Sequence, residues 1–408
     1  MKTFINSLYV EGFKNLHKKT ILFRPLTVLA GGNSVGKSSV IQCLLIVQQT
    51  ITWENSLKGI LHNSFKNDTS EKNNLVVQIP LNNSLLALGN VNDIRSRKSN
   101  KDYILFRFDL NTDNDEPFPL ALYYQALIGS YHLNFDFEIG SYHLNFDFEN
   151  DVKVPGNEKD FLGLNSLSQI SIRYLNAERI GPRQHYDINS NSLQVGYQGE
   201  YAISILSSEI AKTHLVPPHC ALVADEADLR LINVVEQWMQ YIVPGININA
   251  QRLEEVNRSF VKYNGVDKPH NVGFGISYVL PIIVAGLIAS ENDILIIENP
   301  EAHLHPLGQT RIGYFLAKIA ANNIQVVVET HSELLIDGMQ LAVLDDVLPH
   351  KDLVINFFKQ DKVADDLYVQ PIYLNEMAEL SAFPRDFFDQ TRQNIAQMIR
   401  LRRQKSKA

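Results

Sequence analysis

The alternation of apolar and polar positions divides much of the chain into segments typical of strands and helices. Residues 25–30 (PLTVLA) predict a buried strand, and residues 38–48 (SSVIQCLLIVQ) form an apolar stretch long enough for a helix. Further along, strands are predicted at 293–298 and 324–329, with a helix from about residue 307 between them. Strands that alternate with helices favour an α/β core with a mostly parallel sheet.

The intervening segments have a different character. Residues 51–75 are polar and rich in Asn and Lys, which is typical of a surface excursion. Residues 76–150 alternate between apolar and polar positions and predict several strands, whereas 200–250 is mostly helical with a break at Pro217-Pro218. An apolar helix is predicted at 271–289, after a Gly-rich turn.

An 11-residue segment, IGSYHLNFDFE at 128–138, is repeated letter for letter at 139–149. Each copy alternates aromatic or aliphatic residues with polar ones, as a strand with one buried face does. Because 11 is odd, a continuous strand would turn the second set of aromatics to the opposite face, so we predict a turn at 138–141 and a hairpin. We interpret the repeat as a duplication in a tolerant arm, with a paired binding ribbon as the alternative.

Composition and charge indicate an ordinary globular protein of two or three domain-sized units of about 150 residues each. Hydrophobic residues make up 45% of the 408 residues, and the net charge of −8 gives no global attraction for nucleic acid. The two cysteines, Cys43 and Cys220, exclude a disulfide framework but leave one bridge open. The longest apolar run, 278–289, is shorter than the about 20 residues that span a bilayer, so we expect a cytoplasmic protein without a membrane partner.

The sequence GGNSVGKS at 31–38 fits the pattern G-x-x-x-x-G-K-[ST] between a predicted strand and a predicted helix. Its glycines allow backbone N–H groups to face a phosphate, and the helix start adds a favourable dipole. We expect Lys37 to reach the β- and γ-phosphates of ATP and Ser38 to bind Mg²⁺. The candidate nucleotide-binding residues of this segment are Gly31, Asn33, Gly36, Lys37, Ser38 and Ser39.

A second candidate site lies in IIENPEAHLHP at 296–306, where an apolar strand ends in an acid. Glu298 is expected to bind Mg²⁺, often through water. The next position normally holds the carboxylate that polarises the attacking water, but Asn299 cannot accept a proton. Two interpretations stay open: hydrolysis is slow, or Glu301 supplies the carboxylate. A third reading makes Glu301 only a charge that stabilises a helix start.

Two further segments complete the candidate chemistry. The turn at 330–332 (THS) follows an apolar strand, so His331 is expected at the ligand edge of the sheet and near the γ-phosphate. In VGFGIS at 272–277, the residues Gly273, Gly275 and Ser277 open an apolar helix and form a candidate anion site. A structural histidine and a simple helix cap are the respective alternatives. The H-x-H pair at 303–305 lacks further ligands nearby, so structural zinc is not expected.

With these elements in order, the chain resembles the ABC-class ATPases of the RecF/SMC/OLD group. FKNL at 13–16 is similar to the family's N-terminal strand motif, GGNSVGKSS to Walker A, and VGFGIS to a divergent signature motif. IIENPEAHLHP resembles Walker B plus the D-loop, and ETHS at 329–332 the switch-histidine loop. RIGPR at 179–183 and DFFDQ at 386–390 are similar to segments of one bacterial branch of the group. Members of that branch end in a small C-terminal domain of unknown function.

The resemblance implies a P-loop NTPase head of ABC type that binds ATP and Mg²⁺. In that family two heads enclose two ATP molecules, and the signature of one head acts on the nucleotide of the other. A homodimer or higher oligomer is therefore expected. The branch is often encoded beside an effector gene in anti-phage operons, as in Septu-type or retron-associated ATPases, which implies a partner effector such as a nuclease.

The resemblance also sets the expected domain organisation. An N-terminal ATPase lobe covers 1–75, a β-rich arm 76–185, a helical insertion 186–270, a C-terminal ATPase lobe 271–345 and a small C-terminal domain 346–408.

The chain departs from the wider family in ways that keep other functions open. No long heptad segment is visible, and the residues after His331 are few for a nuclease domain and contain no DxD cluster. A RecF-like repair ATPase that binds nucleic acid directly is the main alternative, based on Arg179, Arg183 and the basic tail at 400–407. A transporter nucleotide-binding subunit is a weaker alternative, because the signature departs from LSGGQ.

Overall fold

The fold was analysed in a computed structural model of the chain. The residues that the structure describes are 4–49, 78–83, 85–101, 103–111, 118–125, 132–139, 142–144, 171–189, 193–223, 228–361, 366–385, 387–388 and 390–405.

Sixteen strands occur in these residues. They are β1 (Phe4–Glu11), β2 (Lys19–Leu22), β3 (Leu26–Gly31), β4 (Gln78–Pro80), β5 (Tyr103–Asn111), β6 (Phe118–Gln125), β7 (His132–Ile139), β8 (Tyr142–Leu144), β9 (Ser171–Leu175), β10 (Tyr186–Asp187), β11 (Ile248–Leu253), β12 (Arg258–Tyr263), β13 (Asp293–Glu298), β14 (Gln325–Thr330), β15 (Leu353–Asp361) and β16 (Asp366–Tyr373).

The described helices include one that begins at residue 37, directly after the glycine-rich loop. They are α1 (37–49), α2 (Val91–Ile94), α3 (Ala202–Leu206), α4 (Glu209–Thr213), α5 (Leu231–Ile242), α6 (Phe274–Leu287), α7 (Pro306–Ala320), α8 (Glu333–Leu344) and α9 (Gln390–Lys405). Short 3₁₀ turns lie at Pro218–Cys220, Glu254–Val256, Pro269–Asn271 and His350–Asp352.

A six-stranded sheet with the order β16-β15-β3-β14-β13-β9 forms the centre of the fold. Strands β15, β3, β14, β13 and β9 are parallel, and β16 is antiparallel to β15 at one edge. Strands β3, β14 and β13 are buried almost throughout, which explains why their sequences are continuous apolar runs rather than alternating patterns. The predicted α/β class and the predicted strands at 25–30, 293–298 and 324–329 are confirmed.

Each face of the central sheet carries its own hydrophobic core. Neighbouring residues of β3 point to opposite faces, so that Val28 packs with the core around α6 and α7, whereas Leu29 packs with the core around α1. The second core is closed by an antiparallel seven-stranded sheet that includes β1, β2 and β5 to β8. The glycine-rich loop after β3 therefore starts from a strand that is fixed on both sides.

The duplicated segment forms the predicted hairpin in its described part. Strands β7 and β8 pair antiparallel, with Phe137 opposite Leu144 and Ile139 opposite Tyr142. Phe137 and Glu138 of the first copy thus pair with Leu144 and His143 of the second, whereas Ile139 and Tyr142 both belong to the second copy. The predicted excursion at 51–75 lies outside the described residues.

The interval expected to be a helical insertion, 186–270, contains helices α3 to α5 and also an antiparallel sheet of β10, β12 and β11. The interval expected to be a separate small domain, 346–408, begins with strands of the central sheet. Strands β15 and β16 continue the central sheet, and β15 pairs directly with β3. Residues 353–361 and 366–373 thus belong structurally to the central sheet.

None of the helices in the described part of the chain is long and apolar enough to cross a membrane.

Candidate functional site

The loop after β3 has the backbone that its glycines predict. Gly31, Ser34 and Gly36 have φ angles of 143°, 60° and 107°. A Cβ atom on Gly31 would collide with the carbonyl oxygen of Phe358 on β15, and one on Gly36 would lie 2.9 Å from the side chain of Asn15. At positions 31 and 36 only glycine combines the positive φ angle with such close neighbours. The loop conformation therefore follows directly from the Walker A sequence.

The side chain of Lys37 is folded back onto its own loop. Its ammonium group donates to the carbonyl oxygens of Gly31 at 3.2 Å and Gly32 at 2.7 Å. The side chain is only 3% exposed, and burial lowers its pKa. The ammonium group is therefore held at the loop. Its N–H groups are the donors that a phosphate bound there would accept from.

The loop opens into a cavity of about 630 Å³ between β3, β14 and the FKN turn at 13–15. Its walls contain five of the six predicted Walker A residues, Gly31 being the exception. The lining residues are Lys14, Asn15, Asn33, Ser34, Gly36, Lys37, Ser38, Ser39, Asp93, Glu329 and His331.

Glu329, at the end of β14, contacts the Walker A segment directly. The Ser38 hydroxyl donates to its carboxylate, with Oγ–Oε2 and Oγ–Oε1 distances of 3.0 and 3.3 Å, and Lys37 Nζ lies 3.7 Å from Oε1. Sequence reasoning did not select Glu329 as a site residue. The available signal was its position in ETHS, directly before the predicted ligand-edge turn.

Glu298, the expected Mg²⁺ ligand of Walker B, is held on the side away from Ser38. It lies opposite Glu329 in the register of β13 and β14, and Tyr174 on β9 donates to its carboxylate at 2.8 Å. Burial raises the pKa of Glu298. The structure therefore brings Ser38, in the first turn of α1, and Glu298, at the end of β13, to the same edge of the sheet, with Glu329 on the strand between β3 and β13.

Arg179 was expected to contact nucleic acid in the RecF-like alternative, but the structure places it in the interior. It is 2% exposed, and its guanidinium donates to the carbonyl oxygens of Glu298 at 2.6 Å and Asn299 at 2.5 Å. Its guanidinium also lies 5.3 Å from the ring centre of Tyr278 on α6. Arg179 therefore fixes the turn after β13, and its burial removes it from the surface available to nucleic acid.

The turn after β13 places Glu301 beside His331. The backbone N–H of His331 donates to Glu301 Oε1 at 2.8 Å, and Asn299 adopts a left-handed conformation with φ of 45°. Within the described residues, Asn299 Oδ1 and Glu301 Oε2 are buried acceptors without a protein donor. Asn299, Glu301 and His331 thus lie together beside the end of β14.

The imidazole of His331 lines the edge of the cavity. Partial burial, followed by the positive charge of Lys37, lowers its pKa below the usual histidine range. The ring is therefore neutral at pH 7 and can donate one hydrogen bond and accept another.

The predicted signature segment lies at the start of α6, away from the residues that line the Walker A cavity. Gly273 is the N-cap residue and has open space beside it, whereas a Cβ on Gly275 would lie 2.5 Å from the carbonyl oxygen of His303. Ser277 is 6% exposed and faces the core, so its hydroxyl does not reach a ligand at the helix start in this conformation. Gly275 therefore serves close packing against the loop after β13, and Gly273 is the residue left open at the helix start.

The strand order, with the Walker A strand β3 beside β14 and then β13, and the glycine-rich loop before α1 together define an α/β fold of the P-loop NTPase class. Residues 252–337 match the family model described as "AAA domain, putative AbiEii toxin, Type IV TA system". That segment contains the signature, Walker B and ETHS segments but not Walker A at 31–38. No curated protein matches the chain.

Several solved structures are similar over most of the chain. An SMC head bound to the C-terminal winged-helix domain of ScpA is 12% identical, with a TM-score of 0.49, covering 91% of this chain and 98% of that one. The SMC head domain from Thermotoga maritima is 11% identical, with a TM-score of 0.44 and coverages of 91% and 99%. The ATPγS-bound recombination mediator RecF is 9% identical, with a TM-score of 0.42 and coverages of 90% and 98%.

Replacing Glu298 by Gln is expected to stabilise the protein at neutral pH. The buried carboxylate has a raised pKa in the folded chain, so it costs stability as pH rises above the usual glutamate pKa of about 4.3. We expect the free energy of unfolding to rise by roughly 0.5–2 kcal/mol at pH 7.5, the usual gain when a destabilising residue of a binding site is replaced. The gain should vanish below about pH 4, where the carboxyl group is protonated in both the folded and the unfolded chain. Denaturant unfolding over this pH range measures it, with the exposed Glu333→Gln as control. A variant that is less stable than the wild type at every pH would contradict the expectation.

Proposed function

We propose that this protein is a regulatory ATPase that binds ATP and Mg²⁺, hydrolyses ATP slowly, dimerises around the nucleotide and controls a partner effector in anti-phage defence. One observation carries the nucleotide part: the Walker A loop, with Lys37 and Ser38, faces acidic side chains at the ends of the adjacent parallel strands β14 and β13. The resemblance to the RecF/SMC/OLD group is the basis for the dimer and for the effector, for which a nuclease is the expected type.

Nucleotide binding follows from groups already positioned at the loop. The N–H groups of the loop and of the first turn of α1 are the expected donors to the β- and γ-phosphates. Lys37 exchanges the carbonyls of Gly31 and Gly32 for phosphate oxygens, which are stronger acceptors because they are charged. Asn33 and Ser39, in the same cavity wall, are assigned to further phosphate contacts.

The oxygen donors at this site fit Mg²⁺, which takes protein oxygen ligands together with phosphate and water. No group of three His, Cys, Asp or Glu residues that could hold a metal by itself occurs in the part of the chain described. A site that shares its ligands with the nucleotide agrees with that finding. Bound Mg²⁺ would neutralise phosphate charge, while Ser38 and the acids at the ends of β13 and β14 would hold it.

For hydrolysis, Glu301 is the residue proposed to replace the carboxylate missing at Asn299. Its Oε1 accepts a hydrogen bond from the N–H of His331, whereas its Oε2 and Asn299 Oδ1 are, within the described residues, buried acceptors without a protein donor, which we assign to the attacking water. In this assignment Glu301 accepts the proton, Asn299 orients the water and His331 contacts the γ-phosphate. Slow turnover follows if Glu301 reaches the water less well than a carboxylate at position 299 would.

The signature segment supports the proposal that two chains share each nucleotide. Gly273 and the side chain of Phe274, which is 56% exposed, lie at the open start of α6. Since the Walker A cavity does not include them, a nucleotide held there would reach this helix start in a second copy rather than in the same chain.

Direct nucleic-acid binding stays a second candidate because of α9. This helix contains five basic residues and no acidic ones, and residues 393–405 are exposed. Arg183 is also exposed, whereas Arg179 is buried and no longer supports this reading.

Single-turnover hydrolysis tests the assignment of Glu301. With excess protein over radiolabelled ATP, Glu301→Gln is expected to lower the rate by at least about 100-fold, the usual contribution of a general base, and to retain ATP binding. Lys37→Ala is expected to weaken ATP binding by roughly 10- to 100-fold because a charged hydrogen bond to phosphate is lost. Glu333→Gln is the matched control. If wild type and Glu301→Gln bind ATP and hydrolyse it at the same rate, Glu301 is not the base.

Light scattering coupled to gel filtration tests the dimer. Glu301→Gln with ATP and Mg²⁺ is expected to elute at twice the monomer mass, because the nucleotide stays intact between the two heads. Gly273→Glu should abolish this shift, since it introduces a like charge facing the phosphates. A strict monomer under all conditions, nucleotide included, would rule out the dimer.

A salt series tests the nucleic-acid alternative. If α9 binds phosphates, affinity for a short DNA or RNA duplex should fall by orders of magnitude between 50 and 200 mM salt, as counterion release requires. Replacing Arg400, Arg402 and Arg403 by Gln should flatten that dependence. Absence of binding even at low salt would dismiss this alternative.

A further inference from the structure

Glu329 and Glu298 form a pair of neighbouring acids at the ligand edge of the central sheet. They are register partners on the parallel strands β14 and β13, so their side chains leave the same face of the sheet about 4.8 Å apart along the hydrogen-bonding direction. Burial and the charge of Glu298 both raise the pKa of Glu329. A cation placed between two neighbouring buried carboxylates would favour their charged forms.

Of the two acids, Glu329 is the one in contact with Walker A. Its two carboxylate oxygens lie 3.0 and 3.3 Å from Ser38 Oγ, whereas the Glu298 carboxylate accepts a hydrogen bond from Tyr174 at 2.8 Å. Glu329 is 6% exposed, so solvent competes little for its oxygens. The sequence pattern had assigned the acidic metal ligand to Glu298 alone.

The separation of Ser38 Oγ and Glu329 Oε2 matches the geometry of an octahedral magnesium ion. Ligands at the usual 2.0–2.1 Å from Mg²⁺ are about 2.9 Å apart when they occupy adjacent positions. The observed 3.0 Å between the two oxygens therefore needs little rearrangement for both to bind one ion. The proton of the Ser38 hydroxyl would turn away to another acceptor.

Charge balance points the same way. Lys37 Nζ is 3.7 Å from Glu329 Oε1 and offsets part of its charge. If Lys37 turns to the phosphates, Glu329 loses that cation while further negative charge enters the cavity. A divalent ion placed between Ser38 and Glu329 restores the balance.

We propose that Glu329 is a direct ligand of the nucleotide-bound Mg²⁺, beside Ser38, and that Glu298 acts from the next strand through a metal-bound water. This inference rests on the ATP binding proposed above.

The test uses Mn²⁺ as the probe and the full chain with a non-hydrolysable ATP analogue. Free Mn²⁺ is measured by its electron paramagnetic resonance signal during titration of wild type, Glu329→Gln, Glu298→Gln and Glu333→Gln. We expect Glu329→Gln to raise the Mn²⁺ dissociation constant by more than the roughly 10- to 100-fold that loss of an indirect metal partner typically causes. Glu298→Gln should lose less, and the exposed Glu333→Gln should match wild type.

Binding of a fluorescent ATP analogue in EDTA separates this inference from the proposed function. If wild type binds no nucleotide either in EDTA or with excess Mg²⁺, the proposed function fails and the inference fails with it. If nucleotide binds but Glu329→Gln keeps wild-type Mn²⁺ affinity, Glu329 forms an ion pair with Lys37 but does not bind the metal. The inference is then overturned, while the proposed function stands. A larger loss in Glu298→Gln than in Glu329→Gln would return the direct ligand to Glu298.

A folding check accompanies the titration. If Glu329→Gln does not fold, as judged by circular dichroism, Glu329→Asp replaces it. The shorter carboxylate retains the charge but not the 3.0 Å contact, so weakened Mn²⁺ binding is expected, and wild-type Mn²⁺ binding would overturn the proposal.

Discussion

The parallel pairing of β3 with β14 is the contact on which the candidate site depends. It aligns Leu29 with Glu329 and Ala30 with Thr330, so the loop that follows β3 and the turn that follows β14 leave the sheet side by side. A shift of one residue in this pairing would turn the Glu329 side chain to the opposite face of the sheet. The hydrogen bond from Ser38 to Glu329 would then be impossible. The buried apolar side chains of both strands fix the register, so packing determines the chemistry.

The same site concentrates charge that a stable core would avoid. Lys37 has a lowered pKa, and Glu298 and Glu329 have raised pKa values, because burial is the largest influence on all three. Arg179 adds a fourth buried ionisable group, bound to backbone carbonyls rather than to a carboxylate. Such groups are retained at a cost in stability where a charged ligand needs them. The arrangement agrees with the phosphate and metal binding proposed for this site.

The sequence was sufficient for the elements that depend on local patterns. The buried strands, the Walker A loop and the hairpin of the repeated segment follow from apolar runs, glycines and an odd repeat length. The roles of Glu329, Arg179 and Ser277 depend instead on register and on contacts between distant segments, such as the 291-residue separation of Ser38 and Glu329. For the same reason the pairing of β15 with β3 was missed, because an apolar strand does not reveal its neighbour.

The position of β15 and β14 beside β3 has a consequence for synthesis on the ribosome. Strand β3 ends at residue 31, but its neighbours begin only at residues 325 and 353. At about 5–20 residues per second, roughly 15–60 s pass before the first of them is made. During that time an apolar strand with two open edges has none of its final partners, which is a hazard for aggregation. Chaperone dependence during translation, rather than instability of the finished protein, is therefore the expected weak point in producing this chain.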